Sequence, residues 1–394
     1  MKNSILSLLP LALASANPLQ PRQEHGSHAS NPIGPVLAAL KGSGKPISAS
    51  AMVDVLPKSK IAKVEEMQPT LKRPDAKRLV ATFGPYTLVG KNEPRPKSMS
   101  NSLDPKGQAF MEVITSGLCE DCTVLTGKNS IRFEDGKEAG PADGVYVHHI
   151  LSRNLDKPKN APVNSCSNGG KESPLGFGSE FLAQGDDSLG SSVRFTSSDG
   201  SANTGFIISK GDRFTSQFDL VHYNEQNRTI FLAFDIEYVP KKVGMADAAA
   251  LLLSVTGCVA ERKERGGSLD NPIKLDANGV AVTDGPKFAV TNDTVLVASK
   301  GHLHDGGMKM IMLVNDKEVC ESKAIYGKGG ANNDETIESM TECPPGIKMK
   351  KGDNLSMKAV YDLKTHPIRN GGSHDSMGMA DVMGMFYLTF ANAS

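Results

Sequence analysis

The sequence predicts an all-β protein, two jelly-roll-like β-sandwich domains in tandem behind a flexible N-terminal segment. Three observations predict it. Apolar and β-branched residues alternate with polar ones at period 2 in many short runs, the signature of half-buried strands. Turn formers are dense, with 39 glycines and 23 prolines. Sustained 3.6-residue periodicity, which an amphipathic helix needs, is scarce. Short strands punctuated by turn signals belong to the sandwich class.

Strand-like segments begin near Arg78 with "RLVATFGPYTLVG", broken by a Gly-Pro step. "GVYVHHIL" and "RFTSQFDLVHY" follow. In "TIFLAFDIEYVP", Ile230, Leu232, Phe234, Ile236 and Tyr238 occupy alternate positions. Next comes "GMADAAALLLSV", which fits a helix or a buried strand equally well. "NDTVLVAS", "MKMIMLVNDKEVC", "NLSMKAVYDL" and "MGMFYLTF" complete the set, and Asn315-Asp316 between two apolar runs reads as a hairpin turn. Pro240-Lys241-Lys242 is the expected boundary. It divides residues 78–243 from residues 244–394, blocks of about 160 and about 150 residues, each a usual domain size.

The first 16 residues, MKNSILSLLPLALASA, have the form of a secretory leader: one lysine, an apolar run, and a small-residue cleavage site at Ala14-Ser15-Ala16. That run and Ala248–Val255 are too short to span a bilayer. Residues 17–77 are rich in Pro, Ser, Lys and Ala, and read as a low-complexity pro-segment or tail in which His25 and His28 are solvated. The 44 basic and 44 acidic residues cancel. Nothing in that balance steers the chain toward nucleic acid or an anionic membrane. The expectation is a secreted, extracellular monomer.

Secretion decides how the six cysteines are read. In an oxidising compartment they pair. Cys119-Glu-Asp-Cys122 has the spacing of a metal knuckle, but no second CxxC answers it, so a short-loop disulfide is favoured over zinc. Cys320 with Cys343 is the expected second pair. The sequons at Asn227, Asn292, Asn354 and Asn392 fit a glycosylated surface.

The histidines carry the functional signal. Five fall in three motifs: His148-His149 in "VYVHHIL", His222 in "LVHY", and His302 with His304 in "GHLHDGG". Residues i and i+2 of a strand share a face, so His302 and His304 can pinch one ion. Adjacent histidines cannot, unless the strand is bulged or ends there. The first two motifs lie in one block and the third in the other, which suggests two sites. A third partner for His302 and His304 could come from His366, His374, Met377, Met379, Met383 or Met385. Two imidazoles plus a thioether suit copper, especially Cu(I), and make a poor zinc set.

In their order and flanks these residues resemble the type II copper-dependent monooxygenases, peptidylglycine α-hydroxylating and dopamine β-monooxygenase. "SKGHLHDGG", "YDLKTHP" and "VMGMFYLTF" are similar to the stress-up-regulated nodulin-type secreted proteins. The resemblance runs from about residue 140 to the end, and "PKKVGM" resembles the enzymes' interdomain crossing. It implies that His148, His149 and His222 hold an electron-donating copper. His302, His304 and Met383 would hold a second copper, which meets O2; His374 or Met379 could stand in for Met383. It further implies ascorbate as reductant and C–H hydroxylation of a small molecule or peptide.

Departures from the pattern narrow this. The enzymes' arginine two residues before His-x-His is Lys300, which keeps the charge but loses the bidentate fork. Leu220, Gly384 and Met385 replace a glutamine, a cysteine and an asparagine, while the tyrosine four residues after the methionine is kept as Tyr387. Lys300 and Tyr387 are thus the expected groups beside the reacting centre, and peptide amidation is not the expected reaction. The alternative is a non-catalytic extracellular copper-binding or stress-response protein on the same scaffold.

Overall fold

The computed structural model describes residues 48–73, 75–94, 107–159, 161–163, 178–185, 191–197, 202–241, 244–255, 276–327, 335–367 and 383–392. The leader, most of the expected tail, Cys166, Cys258, His374, Met377 and Met379 lie outside them.

Structure begins earlier than the composition suggested. Helix α1 (Ala49–Val55) starts at Ser48, whose hydroxyl accepts from the Ala51 amide at 3.2 Å. It buries Ala51 and Met52 against Val113 and Leu155. Strand β1 (Ile61–Met67) then pairs antiparallel with β2 (Lys77–Leu88). Thr70 and Leu71 donate their amides to Glu237 at 2.8 and 2.9 Å. Residues 48–73 and 75–77 are therefore part of the fold and not tail. A helix of seven residues is too short to show a period, and β1 is exposed along most of its length, so neither stood out in the sequence.

The first block continues through β3 (Gly107–Ile114), β4 (Cys122–Arg132), β5 (Val145–Asn154), β6 (Ser179–Gln184), β7 (Val193–Arg194), β8 (Thr204–Ile208), β9 (Phe214–His222) and β10 (Arg228–Pro240). One layer runs β1-β2-β10-β4-β8, with β7 on β4; the other runs β3-β9-β5-β6. Their inner faces share one core that includes Phe83, Phe181, Phe206, Phe218 and Phe234. The alternate residues of β10 face inward as expected, Ile230, Leu232, Phe234 and Ile236 being fully buried.

The second block holds β11 (Ala246–Ser254), β12 (Val280–Asp284), β13 (Phe288–Ala289), β14 (Thr294–Leu303), β15 (Gly307–Val314), β16 (Lys317–Gly327), β17 (Thr336–Met340), β18 (Ile347–Met349), β19 (Asn354–Asp362) and β20 (Gly384–Asn392). A sheet β12-β19-β15-β16-β17, with β13 on β19, covers β20, β14 and β18. Asn315 and Asp316 both have positive φ, 51° and 64°, and turn the β15–β16 hairpin. Disulfides join Cys119 to Cys122 and Cys320 to Cys343, as expected.

The segment left open between helix and strand is β11, a strand buried on both faces. Ala248 and Ala250 enter the first core; Ala249, Leu251 and Leu253 enter the second. It pairs with β20 over seven residues and with β6 at Ala250↔Glu180. Through β11 the ladder β3-β9-β5-β6-β11-β20-β14-β18 is continuous across both blocks.

Candidate metal centre

His148 and His149 sit in β5, and the irregularity such a pair requires is there. Val147 stands opposite Leu220 and His149 opposite Asp219, so the register slips by one residue at His148. The extra residue turns both imidazoles to one side, with ring centroids 4.2 Å apart. The Asp219 carboxylate, from neighbouring β9, lies 3.5 Å from His148 Nδ1. At that distance His148 Nδ1 is buried without a hydrogen-bond partner among the described residues.

His302 lies near the end of β14, with Met385 of β20 opposite. Gly301 and Leu303 pair with Phe386 and Gly384 and face the second core, so His302 faces the other way, toward the first sandwich. His304 follows the last ladder pair and opens a turn closed by Gly307 N–H donating to its carbonyl at 3.0 Å. Asp305 accepts from Thr336 Oγ1 and from the Ile337 amide at 2.9 and 3.1 Å. The Tyr326 hydroxyl accepts from Gly306 N–H and donates to the Gly307 carbonyl, both at 2.9 Å.

The four rings converge. His149 Nε2 is 3.2 Å from His302 Nε2. The His304 centroid lies 5.3 Å from His148, 5.8 Å from His149 and 5.4 Å from His302. One ring nitrogen from each of His148, His149 and His304 can be chosen with all three within 4.8 Å of one another. In a flat sheet, four strand steps would separate β5 from β14 by about 19 Å. The shared sheet therefore bends sharply between them.

This corrects the expected division into two separate triads. Histidines from both blocks form one group, because the β11 bridge folds the β9–β5 and β20–β14 faces together. His222 is not among the converging rings. It stands opposite Val145, which faces the first core, and so shares that face and not that of His149 and Asp219. Its Nδ1 lies 3.0 Å from the Val89 carbonyl, and its Nε2 is buried without a hydrogen-bond partner among the described residues. Met383 approaches through its backbone. Its N–H donates to the Tyr361 hydroxyl at 3.0 Å, and its carbonyl accepts from the same group at 2.5 Å.

Lys300 Nζ donates to Ser191 Oγ at 2.7 Å, and the buried Tyr387 hydroxyl donates to the Phe181 carbonyl at 2.6 Å. His366 stacks on Tyr326 at 3.6 Å and meets Glu335 at 3.2 Å. Asp219 and Tyr361 went unnoticed in the sequence. Their signal is only visible in pairing: Asp219 lies beside the bulge, and Tyr361 lies under the turn.

Electrostatics favour a neutral His149 ring. Burial first, then the neighbouring His148, His302 and His304, holds the His149 pKa well below 6.5. Burial also lowers His222, while the Val89 carbonyl opposes that shift. Neutral imidazole is the ligating form. Several such donors at this separation fit a copper or zinc ion by donor type.

Fold and site thus define a class: an all-β, two-sandwich protein with a polyhistidine cluster where the halves meet. The family described as Stress up-regulated Nod 19 matches residues 220–393, a stretch that includes His222, His302, His304 and Met383 but not His148 or His149. The chain is also similar to the Phoma sp. protein named "Probable copper-dependent oxygenase M1", with 20% identity over 289 residues, 71% of this chain and 64% of that protein. It therefore spans less than two thirds of that relative. These matches support a nodulin-like, copper-oxygenase-like relationship. Among solved structures, a GH31 alpha-xylosidase from Xanthomonas citri (TM-score 0.15, 7% identity, 85% of this chain and 28% of that one) is matched. So is Cucumber Leaf Spot Virus (TM-score 0.13, 10% identity, 86% and 94%). At such scores neither carries an argument.

Proposed function

We propose that this chain is a secreted copper-dependent monooxygenase-like protein that hydroxylates a C–H bond of a small molecule or peptide. The observation that carries the reading is the convergence of His148, His149, His302 and His304. The similarity to a protein named as a copper-dependent oxygenase points the same way. Copper held there would supply O2 activation, with ascorbate as the external reductant.

The chain's own residues have separable tasks. Asp219 places a carboxylate beside His148, and burial keeps His149 neutral. The bulge in β5 and the turn after β14 aim the rings. Lys300, which donates to Ser191, lacks the bidentate fork of an arginine for a substrate carboxylate, which supports a reaction other than peptide amidation. Two ions, as the family resemblance implies, would require His149 and His302 to part, and His222 and Met383 to complete separate triads. The packed arrangement supports one shared centre.

Extracellular placement is supported by the two disulfides, by the exposed sequon residues Asn227, Asn292, Asn354 and Asn392, and by the leader-like N-terminus. No helix among the described residues is long and apolar enough to cross a membrane.

The test is copper analysis of the full chain, followed by oxygen uptake with ascorbate across a substrate panel. One copper per chain that is lost in the His149→Ala and His304→Ala variants, together with substrate-dependent uptake, is expected. Failure to bind copper after reconstitution refutes the reading. Tight binding without turnover supports the alternative, a non-catalytic copper-binding protein. That alternative is favoured by the internal engagement of both Lys300 and Tyr387.

A further inference from the structure

We propose that Tyr361 is a positioning residue of the histidine cluster. Its hydroxyl stands between the end of β14 and the start of β20, and it sets where the His304 ring lies relative to His148 and His149. The inference deepens the metal-centre reading and rests on it for its copper measurement, but the ring placement can be read without metal.

The main-chain ladder between β14 and β20 ends at Leu303↔Gly384. One residue further, His304 and Met383 would form the next pair. The Tyr361 hydroxyl takes the place of that pair. It accepts from His304 N–H at 3.1 Å and from Met383 N–H at 3.0 Å, and it donates to the Met383 carbonyl at 2.5 Å. A hydroxyl has one donor and two acceptor sites, and these three bonds employ all of them. The phenol rises from β19, where Tyr361 pairs with Gly307 and is fully buried in the second core. Its ring is therefore fixed by packing, and its oxygen is a rigid anchor.

The rest of the turn is held by other groups. Tyr326 binds Gly306 and Gly307, and Thr336 and Ile337 bind Asp305. Tyr361 is the side chain that holds the His304 amide itself. With a direct ladder pair, His304 would continue the strand; with an oxygen inserted, the two chains part there. The His304 backbone is then fixed at the point where its ring meets rings from the other sandwich. Loss of a group that orients a metal ligand typically lowers metal affinity by about 10–100-fold.

The experiment compares the full-length wild type, Tyr361→Phe, and Tyr86→Phe as a half-buried phenol of β2, in the other layer of the first sandwich. Copper(II) titration, the copper hyperfine pattern, and the imidazole NMR signals of the metal-free protein are recorded. Tyr361→Phe is expected to bind copper about tenfold or more weakly, with altered hyperfine splitting and moved His304 ring signals. Tyr86→Phe is expected to change none of these. A folded Tyr361→Phe protein with wild-type affinity and unmoved His304 signals overturns the proposal. If the wild type binds no copper, the copper reading fails and the ring signals alone decide the role of Tyr361. If Tyr361→Phe does not fold, amide exchange in the wild type decides. Protection at both His304 and Met383 is expected, and exchange at unprotected rates refutes the clamp.

Discussion

Glu112 shows how one buried side chain ties stability to pH. Its Oε2 accepts from the Tyr86 hydroxyl, whereas Oε1 is buried without a hydrogen-bond partner among the described residues. Burial, the largest influence, raises its pKa above the usual 4.5, against the lowering effect of Tyr86 and Ser59. A raised carboxyl pKa means that the folded state prefers the protonated form. The stabilisation is complete below about pH 4.5 and is lost as pH rises through the raised value. Glu112→Gln imitates the protonated form. It is expected to be more stable than wild type at pH 8, by about 1 kcal/mol, a usual size for one substitution. Denaturant melts along a pH series should show that difference shrinking toward pH 4.5. A difference independent of pH would contradict the assignment. The histidines teach another lesson at this scale. The residue types and the need for a bulge at His148-His149 were legible from strand geometry alone, but their partners were not, because partnership is a property of facing surfaces.

Among elements, the turn after β14 carries the most local constraint. Gly306 has φ +92°, and a Cβ there would come within 2.2 Å of Leu363 Cδ2. The leucine tip can yield, but the backbone conformation cannot be relieved in the same way. Gly306→Ala is expected to cost about 1–3 kcal/mol, and to weaken copper binding by shifting the adjacent His304. Thermal melts and copper titration measure both; an unchanged melting temperature would show that the turn adopts another form in solution. At this scale the sequence read well. The alternation in β10 and the Asn315-Asp316 hairpin matched the structure because each is set by neighbours in the chain. The helix α1 and strand β1 were missed because one is short and the other exposed, so neither writes a periodic pattern. β11 was left open because burial on both faces removes the alternation that distinguishes strand from helix.

For the whole molecule, the position of the cluster makes a prediction about cohesion. The two sandwiches share β11, and rings from both meet in one centre. An ion bound there would hold the halves together and would bind the folded state more tightly than the unfolded chain. Saturation at 100 times the dissociation constant adds about 2.7 kcal/mol to stability. Chelation of the copper-loaded protein is therefore expected to lower its melting temperature by a few degrees, and His304→Ala is expected to abolish that response. A melting temperature unaffected by copper would place the ion outside the joint.

By itself the sequence determined the all-β class and which residue types could serve as soft or imidazole ligands, and it favoured the Cys119–Cys122 and Cys320–Cys343 pairings without fixing them. All of these follow from periodicity, turn chemistry and composition, which are local along the chain. Tertiary structure alone decided that His149 meets His302, that His222 faces a core, and that Tyr361 holds His304. Those outcomes depend on how far one shared sheet bends at β11, and the bend is set by two cores packing against the same strand.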